Sequence, residues 1–417
     1  MGKIVYRFFL LLYRTAIKLA APFNSKARLF RDGRQKIWEQ AAAVNPSQKP
    51  LLWVHCASLG EFEQGRPLIE KYRLEYPEHL ILITFFSPSG YEVRKNYSGA
   101  DAILYLPLDG KKNAQRFIDL IKPTLAFFIK YEFWHYYLRT LNRHKIPVLS
   151  ISAIFRKDQI YFQPWGGFQR ASLRFITHFF VQDRESASLL SEIGLTNVSV
   201  SGDTRFDRVF EISREARDLP EIRSFLGEKP AFIIGSAWPA DLDVMIPFMN
   251  EHDLKYIIAP HEISDRFLAE IESDLEKKCI RHSRWTKAQE GEFDILIIDN
   301  VGMLAHLYQY GKFAWVGGAY GQGLHNILEA AVFGLPVFFG NKNYTKFREA
   351  RDLINLGGAF AVANYVELRE HYTRLEIENS YLIVKETNEQ YIQSQLGATK
   401  EIITYTKELL NHDRSRS

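Results

Sequence analysis

Leu51-Leu52-Trp53-Val54-His55-Cys56 runs into Ala57-Ser58-Leu59-Gly60-Glu61, and a second apolar run opens at Leu80 after a segment of helical spacing. A short apolar run, a small-residue turn, a helix and another apolar run make a βα unit, the building block of parallel sheets. The pattern repeats outward from there. Strands are expected at 51–56, 80–85, 102–105, 125–129, 147–152 and 178–182, with helices at 61–75, 111–121, 133–144, 166–175 and 184–193. A second series has strands at 231–235, 255–259, 294–298, 313–317 and 336–339, with helices at 240–250, 264–277, 302–310, 326–333 and 346–356. The expected fold is therefore α/β, with two Rossmann-like domains facing a central cleft at the carboxyl ends of their strands. The expected boundaries are an N-terminal segment 1–40, a first domain 41–210, a linker 211–229, a second domain 230–380, and a helical tail 381–417 packing back on the first domain.

With 417 residues, 46% hydrophobic and 24% charged, the chain is too apolar for disorder and long enough for two cores. Two cysteines, Cys56 and Cys279, exclude a disulfide framework and a cysteine-based zinc site, and fit a reducing compartment. The net charge is +4, but nine Lys or Arg against Asp32 and Glu39 give residues 1–40 a charge of +7 and leave −3 for the rest. That asymmetry argues for an anionic surface as partner and against a nucleic acid.

Residues 4–21 are apolar apart from Arg7, Arg14 and Lys18. On a helix these cations and Lys3 fall within about 60° of one another. Such a helix suits a membrane interface, with cations at anionic headgroups. Docking on the protein's own core, or spanning with snorkelling cations, would use the same residues.

Glu61 is expected in the first turn of its helix, at the sheet edge where a general base would face the cleft. An acid that merely complements the helix dipole fits the fragment as well, and a helix N-terminus lowers a carboxylate pKa, so a base there needs burial to offset it. In the second half, Gly317-Gly318-Ala319-Tyr320-Gly321-Gln322-Gly323 precedes His325-Asn326-Ile327-Leu328-Glu329. Its glycine amides and a helix start can cradle a phosphate, and Glu329 can accept from ribose hydroxyls; an ordinary tight turn is the alternative. Ser236 and His261 are expected at neighbouring strand ends, His261 equally as a surface loop residue. His55, His261 and His325 have no metal-ligand spacing, and no metal or other cofactor is expected.

Taken in order, His55-Cys56-Ala57-Ser58-Leu59-Gly60-Glu61, Ser87-Pro88-Ser89-Gly90, Glu132-Phe133-Trp134, Gly202-Asp203-Thr204-Arg205-Phe206-Asp207 and Phe313 to Gly340 resemble the 3-deoxy-D-manno-octulosonic acid (Kdo) transferases of lipopolysaccharide synthesis, inverting glycosyltransferases of the GT-B type. The resemblance implies CMP-Kdo as donor, a lipid A precursor as acceptor, and a site at the cytoplasmic face of the bacterial inner membrane. It implies Glu61 as base, and Ser236, His261, Gly317, Gly318, Asn326 and Glu329 around the nucleotide sugar. Ser58, Gly60, Arg156 and Arg205 are candidates for the acceptor or the sugar carboxylate, the two arginines equally for surface ion pairs. The chain departs from the family pattern at Pro260-His261-Glu262, where Pro-Arg-His is usual, at Tyr131 and His135 around Glu132-Phe133-Trp134, and at Cys56. Rival readings are another nucleotide-sugar enzyme, a UDP-sugar transferase or sugar 2-epimerase, and a catalytically silent membrane-associated scaffold.

Overall fold

The computed structural model describes residues 2–377 and 380–414, with side chains to 411. Met1, residues 378–379 and residues 415–417, which fall at the margins of the expected segments, lie outside the described residues. The chain divides into two compact units, residues 1–208 with 396–417, and residues 209–395.

In the first unit seven strands, β1 (Leu51–Cys56), β2 (Leu80–Phe85), β3 (Ala102–Tyr105), β4 (Leu125–Ile129), β5 (Val148–Ala153), β6 (His178–Val181) and β7 (Val198–Val200), form one sheet in the order β3-β2-β1-β4-β5-β6-β7. All pairings are parallel. Both faces are covered, which is why these strands read as continuous apolar runs rather than alternating ones. Along β1, Leu51 and Trp53 point into the core with Phe117 and Leu141. Leu52, Val54 and Cys56 point into the opposite core with Phe62, Leu68, Ile402 and Ile403. The strand order reverses between β1 and β4, the place where doubly wound sheets open a crevice at their carboxyl ends.

The second unit has β8 (Ala231–Ala237), β9 (Lys255–Pro260), β10 (Cys279–Arg281), β11 (Ile295–Ile297), β12 (Gly311–Val316), β13 (Val337–Gly340) and β14 (Ala359–Val362), in the order β10-β11-β9-β8-β12-β13-β14. Its pairings are also parallel, and its reversal lies between β8 and β12.

Three departures from expectation have plain causes. The segment expected as a linker is largely helical, over Thr204–Arg214 and Pro220–Leu226, because Phe206, Val209, Ile222, Phe225 and Leu226 are buried. The helix expected at 326–333 is a single turn, Leu328–Ala331, ending before Gly334 at φ 74°. The tail is two helices that part company: Tyr381–Ser394 stays with the second unit, and only the Ala398–Arg414 helix joins the first. There Asp207 accepts the amides of Gly397 and Thr399 at its start.

The N-terminal helix spans Gly2–Ala20. Tyr6, Leu10, Tyr13, Ile17 and Ala20 form its half-buried stripe, while Ile4, Val5, Phe8, Phe9, Leu11, Leu12 and Leu19 are exposed. Tyr6 donates to the buried Asp109 at 2.6 Å, and Asp109 in turn accepts the amides of Tyr136 and Tyr137 at the start of the His135–Arg143 helix. Among the described residues no helix is long and apolar enough to cross a membrane.

Candidate functional site

Glu61 lies where β1 turns into the Leu59–Glu75 helix, with Ser58 as N-cap in extended conformation. Its carboxylate accepts the Ala57 amide. The turn is buttressed from β2: the Ser87 amide donates to Ala57 O at 2.7 Å, and a Cβ on Gly90 would lie 3.1 Å from the Ser58 carbonyl carbon. The Ser87–Gly90 motif is thus the support of the Glu61 turn.

Across the β1/β4 reversal stands Glu132. Its Oε2 accepts from Trp134 Nε1 at 2.7 Å and lies 3.3 Å from His55 Nε2, and His55 Nδ1 is 2.9 Å from Thr84 Oγ1. Trp53 Nε1 donates to Thr84 Oγ1 at 2.8 Å. His55 Nδ1 also lies 3.1 Å from Thr84 O, and its Nε2 lies 3.1 Å from Trp134 Nε1, so His55, Thr84, Trp134 and Glu132 form one network whose donors are set by the imidazole tautomer. Glu132 is thereby held in place from two sides by a fully buried histidine and a tryptophan.

The consequence falls on Glu61. Burial, then the negative charge of Glu132, push its pKa up to about 8, against the opposing Ala57 amide and Lys130. The helix N-terminus does not win, because a desolvated carboxylate beside a second carboxylate is more costly than one amide can offset. Lys130 itself follows β4 with φ 57°, a left-handed backbone that a side chain seldom adopts, and its charge acts on both Glu61 and Asp203.

Asp203 is buried, takes Gln64 Nε2 at 3.0 Å and holds Arg205 in two contacts of 2.9 and 2.8 Å. Thr204 donates to Gln64 O at 2.6 Å. The Gly202–Asp207 motif therefore staples the helix that carries Glu61. Arg205 is committed to Asp203, whereas Arg156 is exposed, donates to Tyr131 OH at 3.2 Å and lies 3.8 Å from Asp158. Tyr131 senses the charge of Glu61, which puts Arg156 at the same sheet edge. Gly60 faces open space.

In the second unit Ser236 is the last residue but one of β8, with φ 51° at an irregularity in the strand, and the Gly317-Gly318 turn follows the adjacent β12. A Cβ on Gly317 would lie 2.2 Å from Ser236 O, and one on Gly318, at φ 95°, would lie 2.5 Å from Gly323 O. Both amides are already used: Gly317 donates to Gly235 O at 2.9 Å and Gly318 to Asp241 Oδ2 at 2.9 Å. The expectation that these two amides cradle a phosphate is corrected accordingly. The glycines are needed for close backbone approach, and the short helix behind them adds little dipole.

What remains around this turn is a set of side chains. Trp238 stacks on His261 with ring centroids 4.3 Å apart and donates to His325 Nε2 at 3.1 Å. Burial, then His261, pull the His325 pKa down to about 4, and burial also lowers that of His261, so His325 is neutral at pH 7. Asn326 Nδ2 donates to Glu329 Oε1 at 3.1 Å, so the two expected nucleotide contacts form one unit. Lys346 comes within 3.5 Å of where a Cβ on Gly323 would be, bringing an ammonium to the glycine turn. Lys130, Glu132, Trp238 and Lys346 were not singled out as site residues from sequence; the lysines lack a motif, and the others gain meaning only from the strand order. Among the described residues no group of three or more His, Cys, Asp or Glu is placed to hold a metal ion.

The family described as 3-Deoxy-D-manno-octulosonic-acid transferase (kdotransferase) matches residues 32–208, the stretch that contains Glu61, Glu132 and Asp203. A Kdo transferase of Aquifex aeolicus is 27% identical over 364 residues, 85% of this chain and 94% of that one. One from Chlamydophila psittaci is 26% identical over 334 residues, 75% of this chain and 74% of that one. Over residues 32–208, and in alignments that span most of its length, the chain is thus similar to the Kdo transferases. That similarity supports a glycosyltransferase. A UDP-GlcNAc 2-epimerase from Neisseria meningitidis aligns with a TM-score of 0.62 at 17% identity, over 86% of this chain and 100% of that one. Acinetobacter baumannii MurG aligns at 0.55 and 11%, over 86% and 99%. These likenesses establish the fold of the chain, two Rossmann-like parallel-sheet units of the GT-B class.

Proposed function

We propose that this chain transfers Kdo from CMP-Kdo to a hydroxyl of a lipid A precursor with inversion at the anomeric carbon, without a metal, at the cytoplasmic face of the bacterial inner membrane. The observation that carries the reading is Glu61, a carboxylate raised to about 8 at a strand-order reversal. A base needs a pKa near the working pH, and a carboxylate of ordinary acidity is too weak to take a proton from a sugar hydroxyl. In this reading Glu61 takes that proton as the oxygen attacks, and CMP leaves from the opposite face.

The departing phosphate gains negative charge, which the Ser236 hydroxyl and Lys346 ammonium offset. The Asn326–Glu329 pair holds the cytidine side. Arg156 and Lys130 are the cations of the first unit suited to the Kdo carboxylate. The exposed apolar face of the Gly2–Ala20 helix supports a peripheral seat at the membrane where a lipid acceptor resides.

The test is Glu61→Gln assayed with labelled Kdo on CMP-Kdo and a lipid A precursor. The substitution removes the proton acceptor at constant shape, and kcat falls by roughly 10²- to 10⁴-fold. Turnover within a few-fold of the parent, with folding intact, removes Glu61 from this role.

A further inference from the structure

Beside the N-terminal helix the first unit holds an open cavity of about 770 Å³, bounded on one side by that helix and on the other by residues 107–113. Lys3, Arg7 and Arg14 line it from the helix, and Lys111 and Lys112 from the opposite wall. Arg34 closes the inner end, its guanidinium bonded to the carbonyls of Phe30, Leu106 and Phe86. Among the described residues none of these six cations has a carboxylate within ion-pair distance. Asp109, the one acid in the wall, is buried and turned to Tyr6 and two amides.

Such an arrangement is unfavourable for the protein alone. Six like charges around one space repel, and lysines in the first turn of the Lys111–Ile121 helix oppose its dipole. Nothing in the folding of the unit requires it, since Lys111 and Lys112 are exposed.

The helix has three sides. Its half-buried stripe is centred at about 300°, its cavity-facing cations at about 20°, and its exposed apolar residues at about 150°, taking Lys3 as zero at 100° per residue. Leu11 joins the last two, since it lines the cavity and is 59% exposed. A ligand with an anionic head and an apolar tail would run from the cavity over Leu11 onto Phe8 and Leu12 without leaving matched surface.

We propose that this cavity seats the phosphate of an anionic membrane lipid, with Lys111 and Lys112 completing a site that the helix cations begin. The proposal rests on the membrane placement given above and makes it specific: the helix is not only attracted to the bilayer but shares one headgroup with the body of the unit. The volume is that of a small-molecule pocket, ample for a phosphorylated headgroup.

The experiment is flotation of the full chain with phosphatidylcholine vesicles, alone or with phosphatidic acid as one lipid in five, at physiological salt. Lys111→Ala/Lys112→Ala is compared with Lys145→Ala/Lys157→Ala, an equal charge loss at exposed positions of the same unit. The first pair lowers partition onto phosphatidic acid vesicles by about thirty-fold and the second by less than about three-fold. Equal losses in the two pairs, or none in the first, overturn the proposal, as does failure of the parent chain to float. Loss of the difference in millimolar inorganic phosphate reassigns the site to free phosphate and overturns it too. Alanine in a first helical turn keeps the fold, which thermal melting checks. Kdo transfer to a detergent-dispersed acceptor reads the proposed activity separately, so either reading can fail alone.

Discussion

Replacing Glu132 by Gln isolates the cause of the Glu61 shift. The amide keeps an oxygen for the Trp134 indole and nearly the same shape, but removes the negative charge that ranks second, after burial, in raising Glu61 to about 8. A neighbouring like charge at a desolvated site is worth roughly one unit, about 1.4 kcal/mol between the two protonation states. The sign follows from the acid's charge. Without Glu132 the ionised form of Glu61 is easier to reach, so the pKa falls. In a pH profile of kcat/KM the rise that reports deprotonation of the base sits near pH 8 in the parent and moves down by about a unit in the variant. At pH 7 the ionised fraction grows from about a tenth to about a half, while the weaker base lowers the plateau at high pH. The assay is Kdo transfer from pH 5.5 to 9.5 at limiting CMP-Kdo, with a folding check at each end. An acid limb that stays at 8, or moves upward, refutes the coupling between the two carboxylates.

The glycines of the two sites separate in sign. Gly317→Ala drives a Cβ into Ser236 O and is expected to cost about 1–3 kcal/mol, seen as a lower Tm. Gly60→Ala meets nothing within 4 Å in a helical turn and should hold or raise Tm by the roughly 0.5–1 kcal/mol that Ala gains over Gly. Equal destabilisation by both would contradict the packing described. Lys346→Ala should raise the KM for CMP-Kdo about ten-fold with Tm unchanged, the loss of one charge-assisted phosphate contact; an unchanged KM counts against its place at the turn. Tyr6→Phe removes a hydrogen bond to Asp109 worth about 1.5–3 kcal/mol, so amides of residues 2–20 should exchange about ten- to a hundred-fold faster by hydrogen–deuterium exchange. Unaltered exchange would mean the helix is held by its apolar stripe alone.

The doubly wound pattern was legible because long buried strands such as Leu125–Ile129 carry unbroken apolar runs. The missed strands, Val198–Val200, Cys279–Arg281 and Ala359–Val362, are three- or four-residue strands outside the sheet centres, too short for periodicity to register. Glu61 was visible from its turn, but not its partner, because Glu132 meets it only through the adjacency of β1 and β4. The glycine turn was read as amides open to a phosphate or as an ordinary tight turn, and the sequence could not show that one amide is taken, since its acceptor, Asp241, lies 77 residues earlier in the chain. On the N-terminal helix the charges drew attention, and the Tyr6, Leu10, Tyr13, Ile17 spacing that docks it was overlooked.

The Ala398–Arg414 helix buries Ile402 and Ile403 against the same core as Phe62 and Leu68, on the helix whose first turn bears Glu61. The first unit is thus assembled from both extremities of the polypeptide, with the whole second unit interpolated. Without residues 398–414 the flank of the Leu59–Glu75 helix formed by Phe62 and Leu68 would lose the cover that Ile402 and Ile403 give it.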